Sequence, residues 1–464
     1  MVVYGQDYIP EPLIGSAAVY DEYKIYYIGG VDFNKDYSKD LSPKSEFFYL
    51  NCNPNSKDTF IKWTDLKSQG VNFPLSLFHI ADIGGVNQDS IFIVGGVRVK
   101  NANDIYRFNI KTNELSIPVI QGKAPPMRAK MNSVSHKGKI YIFGGITGFG
   151  SNTTFFNNFD ILDTVNLIWQ IGSTVNSPVT RSEYTATLVN EVIYYIGGRT
   201  QQYILSPMTE IFQYDISEDK WSLKNTTFAN INDTPGPRVA HSAVLYDGKI
   251  FIYGGAYFNA DTPFGLPPKE IFVMLDTTTL VWSIPSINGP ADVPKLAYHT
   301  AALVNNMMVV AFGNFTGLPD NANKANNFTY AFYLNNEFPW SIIASIDSTK
   351  SPLNITDKLP TTNTNITDKL PTANTKTSQN PPFLNNKVVI VGLMVGLVTV
   401  VGIILVVIAC RRKMKAGEGS NHPDDQVQIS RENTPPIQQH LTQSQEHSES
   451  SILLQESSSQ HSSN

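Results

Sequence analysis

The sequence predicts an all-β fold, a six-bladed β-propeller, followed by a stalk, one transmembrane helix and a tail. Three observations carry this. Apolar runs ending in a glycine pair recur along the first 345 residues. Other landmarks recur in phase with them. A long run without charge, 388–410, lies close to the far end of the chain.

The repeat comes first. "KIYYIGG" (24–30), "SIFIVGG" (90–96), "KIYIFGG" (139–145), "VIYYIGG" (192–198) and "KIFIYGG" (249–255) share one pattern. A sixth, degenerate copy is "MMVVAFGN" (307–314), whose Gly313 is read as the first glycine of its pair. Alternating apolar residues end in Asn51, Asn109, Asp163, Asp215, Asp276 and Asn335. Trp169, Trp221 and Trp282 follow six residues after their aspartates; Trp63 and Trp340 occupy looser positions, and Leu115 replaces the indole in the second copy. Arg128, Arg181 and Arg238 stand sixteen residues before a glycine pair.

Each unit reads as four short strands, exemplified by "HSAVLYD" (a), "KIFIYGG" (b), "IFVMLD" (c) and a strand d starting at the Trp. Such a sheet cannot bury both faces alone, so neighbours stack around an axis. The glycine pair lets backbones approach where strand b ends. The residues resemble kelch repeats over about 13–345, and the resemblance implies a six-bladed propeller with a Trp covering the adjacent blade.

The loops point to a binding rim. Strands a and b join tightly, whereas b and c are separated by long segments such as 31–45, 146–158, 199–209 and 256–269. In an antiparallel blade the b–c and d–a connections share one rim. Long loops on a rigid scaffold are where recognition usually sits. Tyr37, Phe149, Tyr203, Tyr257, Phe258 and Phe264 are the candidate ligand-binding residues, with Phe155 and Phe156 on the same rim. Aromatics there suit stacking on sugars or burial against a protein. The competing reading is that individual rings fold back between blades.

Galactose-oxidase-like enzymes share this scaffold, and the resemblance would imply copper held by two Tyr and two His with a Tyr–Cys crosslink. His241 and His299 begin strand a near the channel, but Cys52 ends strand c toward the blade's outer half. The expectation is therefore no catalytic residue, no metal and no cofactor. The arginines are expected to fix the d–a connection by bonds to carbonyls.

Beyond the propeller, residues 346–387 are rich in Thr, Asn and Pro and contain the tandem "NITDKLPTTNT" and "NITDKLPTANT". They read as a stalk without a packed core. Residues 388–410 are long enough to span a bilayer as helix. Arg411, Arg412, Lys413 and Lys415 follow, which puts the tail 411–464 in the cytosol and residues 1–387 outside. The chain opens "MVVYGQDYIPEP", with no basic or long apolar leader, so a signal sequence is expected to be missing. Tail anchoring in the cytosol is the alternative. Sequons at Asn152, Asn225, Asn232, Asn314, Asn327, Asn354 and Asn365 all precede the helix. Cys410 beside the basic cluster is a candidate lipidation site.

Composition narrows the partners. Net charge is −5 and charged residues are 16% of 464, so no basic face for nucleic acid is expected. Two cysteines exclude a disulfide framework. The expected function is a single-pass membrane protein whose outer propeller binds a glycan or protein, with a possible cytoplasmic signalling partner on the tail. The alternative is a membrane-tethered copper oxidoreductase acting on carbohydrate alcohols.

Overall fold

The computed structural model describes residues 8–345, apart from 32–43, 54–61, 99–101, 149–151, 202–203, 231–233, 259–264, 291, 318–324 and 336. Six antiparallel sheets, each with strands a to d in sequence order, form the blades. Blade 1 is Ala17–Asp21, Lys24–Ile28, Phe47–Asn51 and Lys62–Asp65. Blade 2 is Ile80–Gly84, Ser90–Val94, Ile105–Asn109 and Glu114–Ser116. Blade 3 is Asn132–His136, Lys139–Phe143, Phe159–Asp163 and Ile168–Ile171. Blade 4 is Thr185–Val189, Val192–Ile196, Glu210–Asp215 and Lys220–Asn225. Blade 5 is Ser242–Tyr246, Lys249–Tyr253, Phe272–Asp276 and Val281–Ser283. Blade 6 is Thr300–Val304, Met307–Ala311, Phe328–Tyr333 and Trp340–Ser345. Among the described residues no sheet mixes strands from the first and last blades.

The core is six seams rather than one centre. Six buried clusters each join two neighbouring blades, and a small seventh, Ile14, Val31, Leu77 and Ala325, gathers rim residues of blades 1, 2 and 6. Blade 6 meets blade 1 through Val309, Ala331 and Phe312 against Tyr27, Phe48 and Trp63. The tryptophans lie on strand d and pack toward the preceding blade. Trp169 touches blade 2, Trp221 blade 3, Trp282 blade 4 and Trp340 blade 5. Two indoles also bond the connection beside them, Trp221 Nε1 donating to Ser173 O at 2.6 Å and Trp282 Nε1 to Thr226 Oγ1 at 2.9 Å. The Asn/Asp landmarks are turn caps. Asp276 Oδ1 accepts from Thr278 N at 3.0 Å and Thr279 N at 2.8 Å, and Asn109, Asp163 and Asp215 do the same in their blades. A short polar side chain bonding its own backbone two residues on favours such turns.

The glycine pair has a steric cause. Both residues are left-handed, and a Cβ on Gly144 would sit 2.2 Å from Arg181 O of the next connection. The second glycine's N–H then donates to that connection, as Gly145 N to Arg181 O at 2.8 Å. This corrects the reading of blade 6. Gly313 is the second glycine, since its N–H donates to Leu13 O at 2.8 Å. Phe312, at φ +63°, stands where the other blades have the first glycine, and its ring packs with Tyr27 at 5.0 Å.

Among the described residues no helix is long and apolar enough to cross a membrane. The stalk 346–387, the apolar run 388–410, Cys410 and the tail lie outside the described residues.

Candidate functional site: the channel mouth and its rim

After each glycine pair the chain leaves strand b and pairs with the connection entering strand a. Ile14 bridges Val31, Ala129 bridges Ile146, Ser182 bridges Arg199 and Val239 bridges Ala256, while Leu77 and Ala297 pair with Val97 and Asn314. The b–c and d–a segments are thereby laced together on one face, around the mouth of a channel of about 300 Å³.

The mouth is built by one residue per blade: Gly15, Phe78, Lys130, Glu183, Ala240 and Tyr298. All six have φ between +54° and +65°. Their backbones form a closed circle of hydrogen bonds. Phe78 N donates to Gly15 O (2.7 Å), Lys130 N to Phe78 O (3.0 Å) and Glu183 N to Lys130 O (2.8 Å). Ala240 N donates to Glu183 O (3.0 Å), Tyr298 N to Ala240 O (3.0 Å) and Gly15 N to Tyr298 O (3.4 Å). Five side chains in a conformation that costs non-glycine residues free energy are held there by that circle.

The side chains of this circle converge. Glu183 takes Lys130 Nζ and Arg199 Nε, each at 2.6 Å, and accepts a hydrogen bond from Tyr298 Oη at 2.8 Å. Burial pushes the Glu183 carboxyl up, but the charges of Lys130 and Arg199, with the bonds from Lys130 and Tyr298, outweigh it and hold it below the usual carboxylate range. Lys130 also sits 4.8 Å from the Phe78 ring centre and 5.2 Å from that of Tyr298. Blades 2, 3, 4 and 6 are thus joined across the axis. The sequence reading did not pick out this circle. Its signal was the residue two before strand a, such as Ala240 in "RVAHSAV", a position whose six side chains range from glycine to lysine, glutamate and two aromatics.

The histidines stand one residue further on and link blades. His299 Nε2 lies 2.7 Å from Ser242 Oγ, and His241 Nε2 lies 3.2 Å from Thr185 Oγ1. Burial, reinforced at His241 by Arg238 and His299, pushes both imidazoles down to about 3, so both are neutral. Each ring also covers a glycine, since a Cβ on Gly254 or Gly197 would lie 2.7 Å from the neighbouring Cε1. The arginines serve their own blades. Arg181 Nη1 donates to Gly197 O at 3.1 Å and Arg238 Nη1 to Gly254 O at 3.2 Å, the sixteen-residue spacing made physical. Arg128 instead pairs with Asp160. Cys52 is buried in the seam of blades 6 and 1, next to the a–b turn, its N–H donating to Tyr23 O at 2.6 Å. Burial pushes its thiol up to about 12. That turn is at the opposite end of the blades from His241 and His299, so thiol and imidazoles do not converge.

Of the rim candidates, Tyr257 and Phe258 are described. Both are half-buried, and Tyr257 exchanges two 2.9 Å backbone bonds with Leu266 in the b–c segment of blade 5. Phe155 and Phe156 fold back over Arg199 and Arg128, at 5.8 and 5.6 Å. Tyr37, Phe149, Tyr203 and Phe264 lie outside the described residues, as do the sequons Asn232, Asn354 and Asn365. Asn152 and Asn225 are exposed and Asn327 half-buried. Asn314 turns its Nδ2 onto Phe315 O at 3.3 Å.

A family model described as the KLHDC2/KLHL20/DRC7 Kelch-repeats domain matches residues 15–255. The chain belongs to the Kelch-repeat family. This Kelch propeller is similar to tip elongation aberrant protein 1 of Schizosaccharomyces pombe, 25% identical over 42% of this chain and 17% of that protein. It is similar to host cell factor of Drosophila melanogaster, 23% identical over 51% of this chain and 16% of that protein. Kelch domain-containing protein 3 of Rattus norvegicus is 25% identical over 52% of this chain and 63% of its own length. The matches thus span less than a fifth of the first two relatives. Among solved structures, YjhT superposes with TM-score 0.55 at 15% identity, covering 72% of this chain and 99% of that one, which shows the fold.

Proposed function

We propose that the Kelch propeller is the recognition module of a single-pass membrane protein and that its rim binds a protein partner, or a glycan carried by one. The observation that supports this reading is the laced rim. Its loops stand on a circle of backbone bonds joined to all six blades, a rigid base from which Tyr257 and Phe258 project half-buried. Rigid support lowers the ordering cost of binding. The groups that would otherwise suggest chemistry are committed to the scaffold: His241 and His299 to neighbouring hydroxyls, the arginines to carbonyls or Asp160, Cys52 to a seam. Residues 388–410 supply the span, with the propeller outside and the tail in the cytosol, where it has room for a signalling partner.

Two measurements test this. With a signal sequence supplied, a C-terminal tag on the full chain in sealed vesicles is expected to resist protease added from outside; its digestion overturns the topology. Protein and glycan arrays probed with the full chain are expected to give hits that weaken about tenfold in Tyr257→Ala/Phe258→Ala. Hits indifferent to those changes overturn the rim as the binding surface.

A further inference from the structure

The outer edges of the blades are not treated alike. In blade 3, Gln121 runs parallel to strand d, its N–H donating to Leu167 O and its O accepting from Trp169 N, both at 2.9 Å. In blade 5, Thr227–Phe228 pairs parallel with Val281–Trp282. In blade 6, Asn288 pairs parallel with Pro339, donating to Phe338 O at 3.2 Å and accepting from Trp340 N at 2.8 Å. In each case the covering segment is the connection arriving from the previous blade. An uncovered strand edge is a template for another chain, and folded proteins manage it.

Blade 4 departs from this. Its strand d, Lys220–Asn225, is six residues long, and among the described residues nothing pairs with its outer side. The arriving connection turns away. Ser173 is held by Trp221 Nε1 and Asp219 Oδ1, and Ser177 N closes a turn onto Thr174 O. Val175 and Val179 in that connection are 71% and 77% exposed, and Leu223 on the edge itself is 48% exposed. Lys220 and Lys224 on this strand are exposed as well. Among the described residues, blades 1 and 2 also end in strands without a covering partner, but these have four and three residues.

We propose that the outer edge of blade 4 is a second interaction surface, which takes an extended acidic segment of a partner protein as a parallel fifth strand. Direction and register follow from blades 3, 5 and 6. The Trp position there turns its N–H or C=O outward, and two residues on, Leu223 does the same by the alternation of a strand. Affinity comes from main-chain bonds, and side-chain choice from the exposed Leu223 and the two lysines. An alternation of apolar and acidic residues meets both. This surface is distinct from the rim proposed above.

The probe is a short blocked peptide of alternating valine and glutamate, titrated into the full chain. Binding is expected together with slowed hydrogen exchange at the Trp221 and Leu223 amides. Leu223→Pro removes an outward N–H, which edge strands tolerate, and is expected to weaken binding about tenfold with the melting temperature unchanged. Lys224→Glu, a surface change, is expected to move preference to a valine–lysine peptide. The proposal is overturned if the peptide does not bind at about 1 mM. It is also overturned if protection falls on the rim, or if neither variant alters binding. Concentration-dependent self-association protecting the same amides would assign the edge to a second copy and overturn it equally.

Discussion

The seam between blades 3 and 4 and the seam between blades 2 and 3 solve one packing problem with different chemistry. In the 3–4 seam, Trp221 has Phe143, Phe159, Tyr195 and Tyr214 within 5.2 Å, centre to centre. Such rings contribute beyond the area they bury. The 2–3 seam is mostly aliphatic, Ile140, Ile142 and Leu162 against Phe92, Val94 and Ile105, with Trp169 at its edge. A cavity of about 30 Å³ lies beside it. It also carries charge. Asp160 occupies the strand-c position that Phe48 and Val273 fill in blades 1 and 5, and it pairs with Arg128. Asp82 stands near the channel where Val19, Val134 and Val244 stand in other blades, and Ser133 of blade 3 donates to it. The repeat therefore fixes backbone geometry in every seam but not the chemistry that fills it.

Replacing seam residues one at a time measures how far the two seams differ. Trp221→Ala should cost near the upper end of about 3–5 kcal/mol and Trp169→Ala near the lower. Denaturant midpoints read this, and the reverse order would remove the distinction between the seams. Arg128→Met leaves Asp160 buried without its partner, so a loss of about 3–4 kcal/mol is expected; Arg128→Met/Asp160→Leu should recover most of it. A double variant no better than the single would show that the charged pair is not what holds this seam. Gly144→Ala is expected to cost about 2–3 kcal/mol, because the Cβ meets a carbonyl and φ is +63°. Melting temperature reports it, and an unchanged value would mean the connection shifts freely.

The smallest effect has the opposite sign. Burial pushes the Asp82 carboxyl up to about 6, against which the Ser133 bond works only in part. A folded value above the unfolded one makes this group's stability contribution complete below the ordinary carboxylate value and lost as pH rises through 6. Asp82→Asn should therefore stabilise the protein by about 1–2 kcal/mol at pH 8, discounted for water in the channel, and by nothing near pH 4. Urea midpoints across that range test it; a benefit that does not vary with pH would place the cause in packing.

What the sequence made legible follows from distance along the chain. The glycine pair, the turn-capping Asn or Asp and the arginine at sixteen residues each act within one blade or on its neighbour, so they recur as spacing. The tryptophans were legible for the same reason. The mouth was not, because what its six members share is a left-handed backbone, which Gly15, Lys130 and Tyr298 adopt without sharing chemistry. Gly313 was misassigned because Phe312 holds a position that glycine holds elsewhere, and only the bond to Leu13 reveals it. Neither Asp82 nor Asp160 stood out in the sequence, because nothing local marks Asp160 as buried against Arg128 or Asp82 as half-buried beside the channel.

The circle of backbone bonds at the mouth behaves as a bracelet with one clasp. Covalent chain crosses five of the six seams; between blade 6 and blade 1, among the described residues, side chains and two backbone bonds do so, Gly313 to Leu13 and Gly15 to Tyr298. The second is the longest link of the circle, at 3.4 Å. Any breathing motion that enlarges the ring gathers at that clasp, since elsewhere the chain itself limits the gap. Phe312, wedged among Tyr27, Phe48 and Trp63, is the pin that keeps it shut.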